Sequence, residues 1–221
     1  MMGHAGMAAI AVRYLRPPGD PGSAPGPPEA AAPRRRAALR AVRADERAGA
    51  AAGAGAPGPE EFRRVLGRFA SGVTIVTAPG GAGEPPAGFA CQSFAALSLD
   101  PPLVVFMVGR ASTTWPRIAR AGVFCVNVLG AGQTALCRAF AVSGARTADK
   151  FAGVEHAPSP VTGSPRLAGA PAWVDCSVHA VHTGGDHLIV VGRVEALGTD
   201  ESPAAADPLI FHRGMFGTFT T

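Results

Sequence analysis

The chain has 221 residues, of which 47% are hydrophobic and 16% charged, so it can bury a full core and is too apolar to be disordered throughout. Its formal net charge of +4 comes from one end: residues 1–57 hold eight arginines and four acids, whereas residues 58–221 hold twelve basic and twelve acidic side chains. That balance excludes a nucleic-acid footprint by charge on the larger part.

Residues 1–57 are mostly Ala, Gly, Pro and Arg, and Pro17-Pro18-Gly19 and Pro25-Gly26-Pro27-Pro28 oppose regular structure. Residues 37–52 have helix-forming composition but few large apolar side chains to dock a helix. A disordered extension is expected, either an over-extended start or a basic arm that touches a partner. Its Gly53-Ala54-Gly55-Ala56-Pro57-Gly58 has GxGxxG spacing. No strand precedes it and Pro57 falls inside it, so it is not a dinucleotide fingerprint.

A single domain is expected over 58–221. Pro59, Glu60 and Glu61 suit a helix start. Phe62, Val65, Leu66 and Phe69 then recur as one apolar stripe at helical spacing, and Ser71-Gly72 is read as the helix end. Strands are predicted at 73–77, 88–93, 103–108, 123–129, 172–182 and 188–197, with Gly184-Gly185-Asp186 as the hairpin turn between the last two. Short helices are predicted at 115–121 and 133–140, and 144–170 reads as loop. Six or so strands with few helices predict a mainly β fold, a β-barrel rather than a doubly wound sheet.

No apolar run approaches the roughly 20 residues of a membrane helix, and no secretory signal is visible at the N-terminus. Cys91, Cys125, Cys137 and Cys176 lack CxxC spacing and read as the reduced thiols of a cytoplasmic protein. There is no HExxH, no GxSxG and no Walker A lysine, since Lys150 is followed by Phe151. His179 and His182 on one strand point to opposite faces, so no metal site is expected. The better candidate is an anion site. Arg110-Ala111-Ser112-Thr113-Thr114-Trp115-Pro116 joins a predicted strand to a predicted helix. With Thr114 as N-cap, Arg110, Ser112, Thr113 and Thr114 converge where the helix dipole is positive, which suits a phosphate. The same residues also describe a plain helix start with Arg110 in solvent.

Seven blocks then stand in order between Phe62 and Phe219: FRRVLGRFASGVTIVT at 62–77; GFACQSF at 88–94 with SLDPPL at 98–103; FCVNVL at 124–129; Gln133 with Phe140-Ala141; Lys150-Phe151; GDH at 185–187 leading into VVGRV at 190–194; and Pro208-Leu209 to Gly214. In this order and spacing they resemble the flavin reductase-like family, whose fold is the FMN-binding split barrel. Its members are often the reductase components of two-component flavin-dependent monooxygenases.

The resemblance implies a homodimeric split β-barrel that takes FMN, or FAD, as flavin and NADH or NADPH as hydride donor. A separate monooxygenase then receives the reduced flavin. By resemblance the flavin ring packs on Ala90, Cys91, Gln92, Ser93 and Phe94, with main-chain amides around Cys91 to Ser93 facing its nitrogen and oxygen atoms. Ser98 shapes the following turn or reaches the flavin. The phosphate falls on Arg110, Ser112, Thr113 and Thr114, which favours the anion site over capping alone. His187 lies on the nicotinamide side and orients the hydride donor, so no protein nucleophile is required. Three positions depart from the family pattern: Ala90 where Thr is frequent, Cys91-Gln92 where Ala or Ser precedes Asn, and Phe216 where Tyr is common. The same barrel also admits a non-catalytic flavin carrier or sensor, or a flavin oxidase similar to pyridoxamine phosphate oxidase.

Overall fold

A computed structural model describes residues 57–142, 150–200 and 207–219. The expected extension over 1–57 lies outside the described residues, apart from Pro57. The elements in chain order are α1 (Pro59–Leu66), β1 (Ser71–Gly72), β2 (Thr74–Ala78), β3 (Ala87–Cys91), β4 (Ala95–Leu99), β5 (Pro102–Gly109), α2 (Trp115–Ala121) and β6 (Val123–Val128). A 3-10 turn (Ala131–Gln133) leads into α3 (Thr134–Ala141), followed by β7 (His156–Pro158), β8 (Pro165–Leu167), β9 (Ala172–Gly184), β10 (His187–Thr199), β11 (Leu209–His212) and β12 (Met215–Thr218).

Seven strands form one antiparallel sheet in the order β3-β2-β6-β9-β10-β5-β4. β3 and β4 are its two edges, yet residues 92–94 alone join them. Four peptide steps span at most about 14 Å, so the sheet must curl until its edges meet, which makes a barrel. One extended run therefore pairs first with β2, Thr74 facing Cys91, and then with β5, Ala95 facing Val105.

The barrel interior follows from alternation on β5, where Val104, Phe106 and Val108 point inward. Phe106 meets Phe124 at 5.2 Å between centroids and Trp115 at 6.2 Å, both edge to face. Gly192 leaves room for Phe124, since a Cβ there would stand 2.3 Å from its ring. A second cluster covers the other face of β2: Ile75, Leu129, Cys137, Phe140, Phe151 and Leu167. β2 is consequently buried along its whole length. Asn127 ties β8 to this layer. The two N–H bonds of its Nδ2 are shared among the carbonyls of Ile75 (3.2 Å) and Pro165 (3.3 Å) and the Thr77 hydroxyl (3.2 Å), and its Oδ1 accepts from the Leu167 N–H at 2.8 Å.

The mainly β barrel agrees with the sequence reading, and α2 spans the predicted 115–121. Two expectations are corrected. The first helix ends at Leu66, and Ser71–Gly72 form a strand paired with β11, Ser71 facing Phe211. Segment 144–170 was expected as loop but carries the β7–β8 hairpin. Phe62, Val65 and Leu66 on α1 and Phe69 just beyond it face outward, being 55%, 49%, 54% and 81% exposed.

Candidate active site

Alternation on β3 sets up the site. Phe89 and Cys91 belong to the barrel interior, whereas Gly88 and Ala90 face α3. A Cβ on Gly88 would stand 2.7 Å from the Phe140 ring, so this glycine lets α3 close on the strand. Beyond Cys91 the chain leaves β2, and Gln92 and Ser93 form the floor of a cavity of about 660 Å³. Its walls come from Met107 to Gly109 at the end of β5, the Ala111–Thr114 turn, His187, the end of α3, Lys150, Phe211 and Phe216.

Of the residues singled out from sequence, Ala90, Cys91, Gln92, Ser93, Ser112, Thr113, Thr114 and His187 line this cavity. Three others lie outside its lining. Phe94 turns onto the barrel core. Ser98 sits beyond it on β4, at a register shift opposite Leu103. Arg110 is exposed, with its N–H donating to the Asp186 carbonyl at 3.0 Å. Thr114 occupies the N-cap position but makes no side-chain cap bond. Ser112 supplies it instead, its hydroxyl accepting from the Trp115 N–H at 3.1 Å.

The Ser93 hydroxyl accepts from the Met107 N–H at 2.9 Å and donates to the Met107 carbonyl at 3.0 Å. Its proton is thereby committed, and it can offer a ligand only a lone pair. Cys91 lies 3.3 Å from the same hydroxyl. Burial pushes its thiol above the ordinary value, so it stays neutral. His187 opens β10 after a two-residue turn in which Gly185 has φ +67°. Its Nδ1 is 2.8 Å from Asp186 Oδ1, which holds the exposed Asp186 carboxyl below its usual value. Its Nε2 faces Gly109, where a Cβ would stand 3.9 Å away.

The domain corresponding to residues 66–220 matches the family described as the flavin reductase like domain. The chain belongs to the flavin reductase-like family. It is 49% identical over 158 residues to the reductase subunit HsaB of a flavin-dependent monooxygenase from Rhodococcus jostii, covering 72% of this chain and 76% of that protein. It is 45% identical over 161 residues to a flavin reductase of Pseudomonas putida, covering 73% and 90%. Among solved structures, the NADH:FAD oxidoreductase of Streptomyces globisporus is similar with a TM-score of 0.67 and 35% identity, over 76% of this chain and 99% of that one. The barrel is the split barrel of flavin reductases.

The lining fits what a flavin reductase must hold. Backbone at Gln92 and Ser93 has no strand partner, aromatic rings from Phe89, Phe140, Phe211 and Phe216 supply flat apolar walls, and among the described residues no Asp or Glu lines the cavity. Such a cavity accepts a planar, hydrogen-bonding, anionic nucleotide, and its volume lies in the range of small-molecule sites. Sequence reasoning missed Lys150 and the aromatic walls. Lys150-Phe151 was visible as a block, but nothing local said that the amine would reach a cavity built from distant strands.

Proposed function

We propose that this flavin reductase-like chain is an NAD(P)H:flavin oxidoreductase that works on FMN or FAD in the cavity beside β3 and supplies reduced flavin to a separate monooxygenase. The observation that carries the reading is the convergence of Gln92 and Ser93, the Ser112–Thr114 hydroxyls and His187 on one cavity. Relatives that are reductase subunits of monooxygenases support the partner, and the NADH:FAD oxidoreductase of similar fold supports the hydride donor.

Flavin, when bound, supplies the hydride-accepting chemistry. The chain's residues bind and orient. Main-chain groups at Gln92 and Ser93 would hold the ring edge, the aromatic walls would exclude water from it, and His187 would orient the hydride donor. The working unit is a homodimer. The exposed stripe of Phe62, Val65, Leu66 and Phe69 supports this, since a single copy leaves four large apolar side chains in water. The folded unit begins at residue 58, the N-cap of α1. All four cysteines are free and buried, which supports a reducing, cytoplasmic setting. Among the described residues no helix is long and apolar enough to cross a membrane.

The test is NADH and NADPH oxidation by the purified protein with FMN, FAD or no flavin. Turnover that requires flavin upholds the reading. A protein that binds flavin yet turns over with no pair is a carrier or an oxidase instead.

A further inference from the structure

We propose that a second recess, beside the β7–β8 hairpin, is a binding site for a purine nucleoside. The inference does not rest on the flavin reading. Among the described residues, the lining of this recess shares no member with the cavity beside β3.

The first argument is a flat platform that is already in place. The recess measures about 720 Å³, in the range of small-molecule sites. Trp173, near the start of β9, pairs with Gly198 of β10. A Cβ on Gly198 would stand 2.6 Å from the indole, so the glycine lets the ring settle over the strand. Arg166 of β8 covers this ring, its guanidinium carbon 4.8 Å from the centroid. Its Nε donates across the hairpin to the Pro158 carbonyl at 3.2 Å. Both side chains are therefore fixed before a ligand arrives, which lowers the cost of binding. A guanidinium is planar, so the face turned from the indole can take a second flat ring.

The second argument is the surplus of acceptors around that platform. Glu155, just before β7, and Asp200, just after β10, both line the recess. A carboxylate accepts up to about four hydrogen bonds, so a contact it makes within the protein leaves sites for a ligand. His156 lines the recess as well. Its Nδ1 lies 2.9 Å from the Val154 carbonyl. A carbonyl only accepts, so Nδ1 carries the proton, and Nε2 of the neutral ring is an acceptor. The imidazole is also set edge-on to Phe151, with centroids 5.3 Å apart.

A flat stacking face ringed by acceptors selects a planar ligand rich in N–H and O–H donors. A purine nucleoside has that form: the base stacks, and its exocyclic amine and vicinal ribose hydroxyls donate. The carboxylates of Glu155 and Asp200 favour the neutral nucleoside over its phosphate ester, because they repel a second anion.

The experiment is calorimetric titration of the full chain with adenosine and with AMP. Adenosine should bind saturably, one per chain, with a Kd below about 1 mM, and AMP should bind more weakly. Arg166→Gln removes the planar cation, and Gly198→Ala displaces the indole. Each should weaken adenosine at least about tenfold while FMN affinity stays within about twofold. Thermal melting shows whether each variant is folded, a readout that holds whether or not the chain oxidises NADH. Phenylglyoxal labelling of the native chain, followed by peptide mass spectrometry, gives a measurement that needs no variant. Adenosine should shield Arg166 and leave the exposed Arg193 reactive. No saturable heat up to about 5 mM adenosine would overturn the proposal. So would AMP binding tighter than adenosine, since that would make the site a phosphate site. Full adenosine affinity in either folded variant, or an Arg166 that adenosine leaves unshielded, would overturn it too.

Discussion

The hydroxyl of Ser93 pairs with both backbone groups of Met107, accepting from its N–H at 2.9 Å and donating to its carbonyl at 3.0 Å. β4 and β5 pair with Ala95 opposite Val105, so Ser93 falls opposite Met107 in the same register. The side chain takes over where the backbone ladder would continue. It seals the seam of the barrel while leaving the Ser93 main chain free for a ligand. Ser93→Ala should therefore cost about 1 kcal/mol of stability, since water can reach the freed groups. Riboflavin affinity should fall less than tenfold. A loss of binding with no loss in denaturant stability would show that the hydroxyl contacts the flavin directly.

Asn127 is fully buried and spends both ends of its amide on β2 and the β8 segment. Asn127→Leu takes the acceptor from the Leu167 N–H and a donor from the Ile75 and Pro165 carbonyls, of which Pro165 keeps the Thr77 hydroxyl. The expected loss is about 3 kcal/mol, or a Tm lower by about 6–12 °C for a chain of this size. Thermal melting checks this. The flavin affinity of the folded fraction should be unchanged, because Asn127 does not line the cavity.

His187→Ala should raise the KM for NAD(P)H by about tenfold while FMN affinity stays within about twofold, as expected for one lost orienting contact. Asp186→Asn tests the hydrogen bond to Nδ1. The folded Asp186 carboxyl is held low by His187, so the contact is complete above the ordinary carboxylate range and is lost as pH falls through the depressed value. The KM for NAD(P)H in the native chain should thus be insensitive to Asp186 titration near neutrality and rise only in acid. In Asp186→Asn that acid limb should disappear. An acid limb unchanged in the variant would assign it to another group.

Cys125 is buried beside Asp175, and burial followed by that carboxylate pushes its thiol from 9.0 up to about 12. The unfolded chain gives up this proton near pH 9 while the folded chain keeps it. Stability is therefore complete below pH 9 and falls as pH rises from 9 toward 12, by up to about 1.4 kcal/mol per pH unit from this group. Melting at pH 8 and pH 10 measures the slope. Cys125→Ala should reduce the slope by this group's share and leave the part that the other buried thiols, Cys176 above all, contribute by the same cause.

The stripe of α1 should be covered by a second copy. Phe62→Asp with Phe69→Asp replaces two exposed rings by charges, and light scattering should then report about 22 kDa in place of twice the 22.3 kDa chain mass. An unchanged mass would remove α1 from the interface.

Much of the barrel was legible because its long strands are β-branched or alternate, as in 103–108 and 188–197. β4 was not, since four of its five residues are exposed and no alternation marks it. β1 and β12 escaped for a similar reason: they are short, and their pairing depends on strands far away in sequence. The cavity was half legible. Ser112 and His187 stand in recognisable local settings, a helix start and a hairpin turn. Lys150, Phe211 and Phe216 reach the cavity only through tertiary packing. Nor could the sequence show that Arg110 stays outside, because that depends on how its backbone bonds to Asp186.

The link between β3 and β4 has a further consequence for how this protein can vary. Residues 92–94 cross the seam, and Gln92 and Ser93 among them floor the cavity. Adding or deleting one residue there would invert every side chain of β4 between the two faces of the sheet. The flavin seat can be retuned by substitution at Gln92 but not by changing the length of the chain, and insertions that enlarge the site must enter through the turns on its rim.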